Sequence, residues 1–187
     1  LAQNMPSPGI QAGQKAPDFS LKNAFGDTVT LSNELKKGPV VLIFYRGSWC
    51  PYCNLHLHVL KKAQPEFEKY GAQLIAISPQ TPDRSAAQIK KEGYPFEVLS
   101  DDNSGVMKDY QLYFELSSDL QAVYRKFDLN LEEYNGKGRN VLPVPGGFVI
   151  GRDGTINAMQ AQTDYKSRME PKAILAALET MKKTGKL

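Results

Sequence analysis

An apolar run from Val40 to Tyr45 leads, after a short turn, to the only two cysteines of the 187-residue chain. Every side chain in this run is apolar or aromatic, so the strand that it predicts is covered on both faces, as in the centre of layered α/β proteins. Cys50 and Cys53 follow the turn, and from Asn54 onward apolar residues recur at helical spacing. A buried strand that turns into a helix predicts an α/β fold with both cysteines at the helix N-terminus.

The spacing Cys50-x-x-Cys53 is typical of a redox-active dithiol, because one helical turn brings the two sulfurs close enough to bridge. Unpaired N–H groups and the positive end of the helix dipole stabilise a thiolate at this position and so lower the thiol pKa. Trp49 and Pro51 flank the first cysteine. We therefore interpret the pair as the centre of a thiol oxidoreductase rather than as two inert core residues.

Strand patterns alternate with helical patterns along the rest of the chain. The predicted strands are Gln73 to Ser78, Phe96 to Leu99 and a hairpin from Gly147 to Met159; the predicted helices are Asp83 to Glu92, one that starts near Ser118 and one opened by Pro171. This alternation implies a mostly parallel central sheet with helices on both faces and an antiparallel C-terminal hairpin.

Three local predictions concern the helices and the loops between them. Pro65 should kink or split the helix that follows the dithiol. Residues 128–140 contain Asn135-Gly136 and Gly138, and should form an exposed loop. The helix that starts near Ser118 should turn four side chains inward, namely Leu120, Val123, Tyr124 and Phe127.

Length and charge restrict the classes of protein that the chain can belong to. We expect an irregular lead-in at residues 1–12, one domain at residues 13–180 and a basic tail at residues 181–187. The net charge is +3 and the basic residues are otherwise scattered, so nucleic acid is not an expected partner. No apolar run approaches the roughly 18 residues of a membrane span. Because the chain starts with Leu, a removed signal peptide would allow a periplasmic location, and we favour the cytoplasm.

Several separated segments resemble one family. Gly13 to Leu21 looks like the opening signature of the AhpC/TSA and redoxin branch of the thioredoxin superfamily, and the redox turn follows at the expected distance. Ile77-Ser78-Pro79, Leu99-Ser100-Asp101 and Pro145 to Ile150 occur in the same order as similar segments of that family. The resemblance covers residues 13–180. Two stretches are similar to the peroxiredoxin-like subgroup of this family: the motif Arg46-Gly-x-Trp-Cys-Pro-x-Cys53 and the segment Asp164 to Pro171.

The resemblance implies a thioredoxin-like fold whose sheet is extended at its N-terminus. It also implies a cis peptide bond between Val144 and Pro145 that faces the cysteines, with Pro143 as the rival position. Val144 and Pro145, together with Trp49 and Pro51 beside the dithiol, are the expected substrate loop.

In typical peroxiredoxins the motif Pro-x-x-x-Thr-x-x-Cys carries the cysteine that attacks peroxide, and a later arginine assists it. By the resemblance, Cys53 takes the attacking position, Cys50 the Thr position and Arg46 the Pro position, whereas Pro145 stands where the arginine would be. This implies reduction of hydroperoxides by Cys53, resolution by Cys50 and regeneration by thioredoxin or a similar dithiol. Arg46 is the candidate for stabilising the thiolate.

Two other functions use the same residues. A protein disulfide reductase would attack with Cys50, as the earlier and more exposed thiol, and resolve with Cys53. A redox sensor or metal-binding module would use the cysteines with His56 and His58, the only histidines, but these two point about 200° apart on a helix and do not converge. We expect His56, one turn after Cys53, to be a partly exposed helix residue. No metal or other cofactor is expected, and because nucleotide-binding motifs are absent the electrons should come from another thiol protein. The oligomeric state stays open.

Overall fold

Nine strands and seven helices form within residues 7–187, the range that the computed structural model of the protein describes. The strands are β1 (Ser20–Asn23), β2 (Thr28–Thr30), β3 (Val40–Phe44), β4 (Gln73–Ser78), β5 (Glu97–Ser100), β6 (Tyr113–Glu115), β7 (Val141–Pro143), β8 (Gly146–Ile150) and β9 (Ile156–Ala161). The helices are α1 (Leu31–Leu35), α2 (Pro51–Glu68), α3 (Pro82–Glu92), α4 (Gly105–Asp109), α5 (Ser118–Lys126), α6 (Glu132–Asn135) and α7 (Pro171–Lys183). The first half of the predicted lead-in, residues 1–6, lies outside the described residues.

Seven strands form one sheet in the order β2-β1-β5-β4-β3-β8-β9, and β6 pairs with β7 separately. The central strands β5, β4 and β3 are parallel neighbours, whereas the pairs at both edges are antiparallel. Each edge reverses direction twice, so β2 and β9 run the same way as the three central strands. The predicted α/β fold is confirmed, with its antiparallel C-terminal hairpin β8–β9 and the N-terminal extension β1–β2.

Side chains of β3 alternate between two cores, as the period of two of a strand requires. Val40, Leu42 and Phe44 face the core that α1 and α4 cover, and Val41 and Ile43 face the core that α2 and α7 cover. All five are almost completely buried. Helices on both faces therefore enclose the strand that ends beside the two cysteines.

Helix α2 continues through Pro65, so the predicted split of this helix is wrong. A proline inside a helix costs about 3 kcal/mol. Leu60 and Phe67 lie on either side of Pro65 and are fully buried against the sheet. Their burial contributes about 1.5–3 kcal/mol each, which offsets that cost and holds the helix in register.

Residues 128–140 were expected to form an exposed loop, and this prediction is wrong. They contain helix α6, and Leu131 and Asn135 are almost fully buried. The Asn135 amide donates to the Val141 carbonyl, while the Arg139 guanidinium donates to the carbonyls of Pro79, Asp101 and Asn135. These side chains satisfy backbone carbonyls that would otherwise need solvent, which lets the segment pack inward.

Helix α5 packs through only part of the face that its periodicity predicted. Leu120 and Tyr124 are half-buried against a small cluster that includes Leu142 and Trp49, whereas Val123 is 45% and Phe127 80% exposed. The inward positions predicted for Val123 and Phe127 are therefore wrong. Helix α5 packs on this small cluster rather than on the two main cores, so fewer of its side chains contact an apolar neighbour.

Residues 7–187 contain no helix whose length and apolar composition would suit it to cross a membrane.

Candidate functional site

Cys50 and Cys53 form a disulfide at the N-terminus of α2. Cys50 is the N-cap residue, and its sulfur accepts a hydrogen bond from the Cys53 backbone N–H at 3.3 Å. The two Cα atoms are 5.2 Å apart. Cys50 is 1% exposed and Cys53 is not exposed at all, so the greater exposure expected for Cys50 is not found. The predicted dithiol is thus assembled, but it is covered.

Arg168 contacts both sulfurs from above the start of the helix. Its Nη2 donates to the Cys53 sulfur at 3.2 Å and lies 3.8 Å from the Cys50 sulfur. Arg168 is only 8% exposed. Burial, and next the charge of Arg46, lower the pKa of the guanidinium to about 10, so it stays protonated at neutral pH. Arg168 lies in the segment Asp164 to Pro171 that resembles the peroxiredoxin-like subgroup, and the sequence alone assigns it no role.

We call residues 162–170, between β9 and α7, the Arg168 loop. The Arg168 Nε donates to the Tyr165 carbonyl, and the Tyr165 ring packs edge-on against Tyr52 of α2 with centroids 5.4 Å apart. At the other end of the loop, His56 Nε2 hydrogen-bonds the Met169 carbonyl at 2.8 Å. The loop is therefore attached to the first two turns of α2, across the disulfide.

His56 is buried, although the sequence predicted a partly exposed helix residue. Burial lowers its pKa to about 4, and the nearby charge of Arg168 contributes. The imidazole is therefore neutral at pH 7, and because a carbonyl can only accept, Nε2 carries the proton that it donates to Met169. The sequence could not show that a loop more than 100 residues later would cover this helix face.

Arg46 lies in an aromatic cage at the end of β3. Its guanidinium is 4.9 Å from the Trp49 ring centroid and 5.0 Å from that of Tyr165, and its Nη2 donates to the Tyr124 hydroxyl. Arg46 is 9% exposed, and burial lowers its pKa. Its side-chain hydrogen bond goes to a phenol rather than to a sulfur. Its positive charge lies near that of Arg168, whose pKa it helps to lower.

Buried amides hold the turn between β3 and α2. Gln80 Oε1 accepts hydrogen bonds from the Ser48 N–H and hydroxyl at 2.8 and 2.7 Å. Asn54 Nδ2 donates to the Ser48 carbonyl at 2.7 Å, and its own Oδ1 accepts from Gln88. Gln88 in turn accepts from the buried Tyr45 hydroxyl at 2.7 Å. This network orients the residues directly before Cys50, in the way that outer residues support an active site.

Val144 and Pro145 lie in the wall of a cavity of about 510 Å³ that also reaches Arg46. Its other lining residues come chiefly from the segment around α5 and from the Arg168 loop, including Phe114, Leu120, Tyr124 and Tyr165. Trp49 and Pro51 do not line it; Trp49 is part of the aromatic cage and packs edge-on against Tyr124, and Pro51 is exposed at the helix start. Most of the lining residues are apolar or aromatic, and the polar groups in the wall include the Arg46 guanidinium, the Asp119 carboxylate and the hydroxyls of Ser117 and Thr163.

The cis peptide bond predicted between Val144 and Pro145 is not found, since every peptide bond within residues 7–187 is trans. The preceding residue Pro143 pairs with Tyr113, and the Val144 N–H donates to the Leu112 carbonyl at 2.7 Å. The next residue, Gly146, begins β8. The chain therefore passes in an extended form from one strand to the next and needs no tight turn at Pro145.

The two histidines do not converge on the cysteines. His56 is bonded to the Arg168 loop, and His58 Nε2 lies 2.6 Å from a carboxylate oxygen of Glu92 on the opposite side of the helix. Within residues 7–187, no three or more His, Cys, Asp or Glu side chains are arranged to hold a metal ion.

Comparisons with known proteins agree on one family. The family model described as the AhpC/TSA family matches residues 12–159. The chain is 31% identical over 173 residues to peroxiredoxin Bcp of Bacillus subtilis, covering 92% of this chain and 96% of that protein. It is 32% identical over 111 residues to chloroplastic peroxiredoxin Q of Populus jackii, covering 59% of this chain and 52% of that protein.

The fold is also that of a solved structure. The crystal structure of peroxidoxin BcpB from Mycobacterium tuberculosis superposes with a TM-score of 0.73 at 21% identity, covering 92% of this chain and 98% of that one. At this identity the similarity shows the fold alone. The chain spans about half the length of several chloroplastic relatives that it matches.

Proposed function

Because the chain belongs to the AhpC/TSA family, we propose that it reduces hydroperoxides through a cycle between the Cys50–Cys53 dithiol and its disulfide. The observation that carries this proposal is the disulfide itself, buried at a helix N-terminus with a guanidinium against its sulfurs. A positive group and a helix N-terminus both favour thiolates, which are the nucleophiles in thiol chemistry.

The cycle has two chemical steps on the protein. The Cys53 thiolate attacks one peroxide oxygen, the O–O bond breaks, and the leaving oxygen takes a proton to give an alcohol or water. Cys53 is left as a sulfenic acid, oxidised by two electrons. The Cys50 thiol then attacks the Cys53 sulfur, water leaves and the disulfide forms. Cys50 can perform this step because the two residues already lie one helical turn apart.

The apolar cavity beside the site accommodates the organic part of the hydroperoxide. Val144 and Pro145 form one side of it, and Arg46 in its wall directs the polar peroxide group toward the dithiol. Trp49 supports Arg46 by packing against its guanidinium, and Pro51 starts the helix that positions Cys53. In this proposal Arg46 is therefore a positioning residue, which orients the peroxide group through its positive charge.

Two electrons must return to the disulfide in each cycle. A dithiol protein of the thioredoxin kind supplies them by attacking one sulfur, forming a mixed disulfide and then resolving it with its second thiol. Since both sulfurs are buried, this attack requires the Arg168 loop to move away from the start of α2.

Coupled turnover tests the proposal. The reduced protein is given hydrogen peroxide or cumene hydroperoxide, together with thioredoxin, thioredoxin reductase and NADPH, and NADPH oxidation is followed. We expect many peroxides to be consumed per protein molecule. A double Cys50→Ser, Cys53→Ser variant is the control for background reaction. Consumption that stops at one peroxide per protein would contradict a peroxidase cycle.

A protein disulfide reductase is the second candidate, and one observation favours it. The Cys50 sulfur accepts the Cys53 N–H, which stabilises a thiolate at Cys50 rather than at Cys53. Three results together would select this candidate. The protein would reduce insulin disulfides, the Cys50→Ser variant would lose this activity, and the wild type would react only slowly with peroxide.

A further inference from the structure

We propose that an exposed apolar stripe on helix α2 is the surface on which the dithiol protein that reduces the disulfide docks. The stripe consists of Tyr52, Leu55 and Val59, and Tyr165 of the Arg168 loop extends it. This inference rests on the proposed function, which requires an external dithiol to return two electrons to the disulfide. It states where on the chain that dithiol protein binds.

The stripe is a contiguous patch rather than a set of scattered residues. Tyr52, Leu55 and Val59 are three and four residues apart, so they lie in one row along the helix. Leu55 is 64% exposed, and the Tyr165 ring packs against that of Tyr52 and lengthens the row. Of the seven large apolar side chains that are exposed within residues 7–187, four belong to this patch. Single exposed apolar residues are ordinary, whereas a contiguous patch marks an interaction site.

The stripe begins beside the disulfide. Tyr52 directly precedes Cys53 in the chain and Leu55 follows it by two residues, both near the start of α2. A protein that packs on these side chains therefore brings its own thiolate close to the two sulfurs. Attack by that thiolate breaks the S–S bond, so that one sulfur enters a mixed disulfide and the other leaves as a thiolate. The second thiolate of the partner then attacks the mixed disulfide, which leaves this chain reduced and the partner as a disulfide.

Docking on the stripe also loosens the cover of the sulfurs. Tyr165 belongs to the Arg168 loop, under which both sulfurs are buried, and its ring is in edge-on contact with Tyr52. An apolar side chain of the partner that packs on Tyr52 takes the place of Tyr165. The loop then loses one of its attachments to α2, so part of the docking energy contributes to exposing the disulfide.

Charges at the two ends of the stripe indicate the chemistry of the partner. Lys166 Nζ lies 5.8 Å from the Tyr52 ring centroid, and the exposed Lys62 lies about one turn beyond the last apolar residue of the stripe. Neither lysine forms a salt bridge within residues 7–187, whereas Glu66 in the next turn is paired with Lys69. The stripe thus lies between two unpaired cations. It fits a dithiol protein whose apolar surface around the thiols is flanked by carboxylates.

Reduction of the disulfide in the absence of peroxide tests this surface. The oxidised protein is mixed with a catalytic amount of thioredoxin, thioredoxin reductase and NADPH, and initial rates of NADPH oxidation give kcat/KM for the protein as a substrate of thioredoxin. We expect the double variant Leu55→Gln, Val59→Gln to lower this kcat/KM about 10-fold, because apolar contacts at the centre of an interface are lost. Reduction by dithiothreitol, a small dithiol that needs no docking surface, should be unchanged.

Two further variants serve as a control and as a test of the charges. Phe25 is also a highly exposed apolar residue, but it lies in the turn between the edge strand β2 and β1, so Phe25→Gln should change neither rate. Added NaCl should lower kcat/KM of the wild type, and the double variant Lys62→Gln, Lys166→Gln should respond less to salt. An equal response of this variant and the wild type would contradict an acidic partner on this surface.

Three other results would overturn the inference. One is an unchanged kcat/KM in a folded Leu55→Gln, Val59→Gln protein. Another is an equal loss with thioredoxin and with dithiothreitol, which would show a disturbed cover rather than a lost docking surface. The third is a wild-type dimer in sedimentation velocity that this double variant dissociates, because the stripe would then bind a second copy of the chain.

The same assay separates this inference from the proposed function, because it contains no peroxide. A wild type that does not turn over peroxide, but whose reduction by thioredoxin still depends on Leu55 and Val59, would refute the peroxidase function alone. An active peroxidase whose reduction by thioredoxin is unaffected by these substitutions would refute the docking surface alone.

Discussion

Replacing Cys53 with serine should abolish the reaction of the protein with peroxide. A serine hydroxyl is not ionised at neutral pH and is a poor nucleophile, so the guanidinium of Arg168 has no thiolate to hold. We expect the second-order rate constant to fall by at least about 10³-fold, as when other nucleophilic residues are removed. Peroxide consumption by the reduced protein, followed in stopped-flow, measures this constant.

The matched control for this experiment is Cys50→Ser, which removes the other sulfur at the same helix terminus. It should keep the rate constant of the first step within a few fold of wild type. If Cys53→Ser reacts with peroxide as fast as wild type, the attacking sulfur is Cys50 and the proposed roles are reversed.

Replacing Cys50 with serine should stop the cycle after one peroxide. The chain contains only two cysteines, so Cys53 sulfenic acid then has no thiol of its own chain with which to condense. We expect each protein molecule to consume one peroxide and coupled NADPH oxidation to fall by at least about 100-fold. Mass spectrometry should find a trapped sulfenic acid at Cys53.

Two alternative outcomes would argue against this role of Cys50. One is continued turnover of Cys50→Ser at the wild-type rate, which would mean that the external reductant resolves the sulfenic acid directly. The other is complete loss of peroxide reaction in Cys50→Ser with no trapped sulfenic acid. In that case Cys50 itself would be the attacking thiol, as a disulfide reductase requires.

The sequence predicted those parts of the site that depend on neighbouring residues. The apolar strand β3, the turn and the start of α2 are adjacent in the chain, and local patterns are enough to place Cys50 and Cys53 at a helix N-terminus. The same holds for the buried strand β4 and for the helix opened by Pro171. In each case one short stretch of sequence contains the whole signal.

Arg168 could not be placed in the site from the sequence. It lies 115 residues after Cys53, and only the connection from β9 to α7 brings it over α2. Nothing in the local pattern distinguishes it from an exposed arginine. His56 was misjudged for the same reason, because its burial depends on the loop that covers it.

The errors between residues 113 and 145 have a related cause. Asn135-Gly136 is a sound turn signal, yet the buried amide of Asn135 and the guanidinium of Arg139 satisfy enough carbonyls for this region to pack inward. The cis bond before Pro145 was inferred from resemblance to a family. In this chain β7 precedes that position, and the extended connection to β8 accommodates a trans bond.

The rate of the first chemical step tests the central claim most directly. The reduced wild-type protein is mixed with hydrogen peroxide at pH 7, and the fluorescence of Trp49, the only tryptophan, reports the reaction. Free cysteine in the same buffer is a few per cent thiolate, so complete ionisation alone can accelerate the reaction by only about 30-fold. We predict a rate constant at least about 10³-fold above that of free cysteine, because stabilisation of the leaving oxygen adds to ionisation. A rate constant within about 30-fold of free cysteine would contradict the account, since it would show a reactive thiol without a site for peroxide.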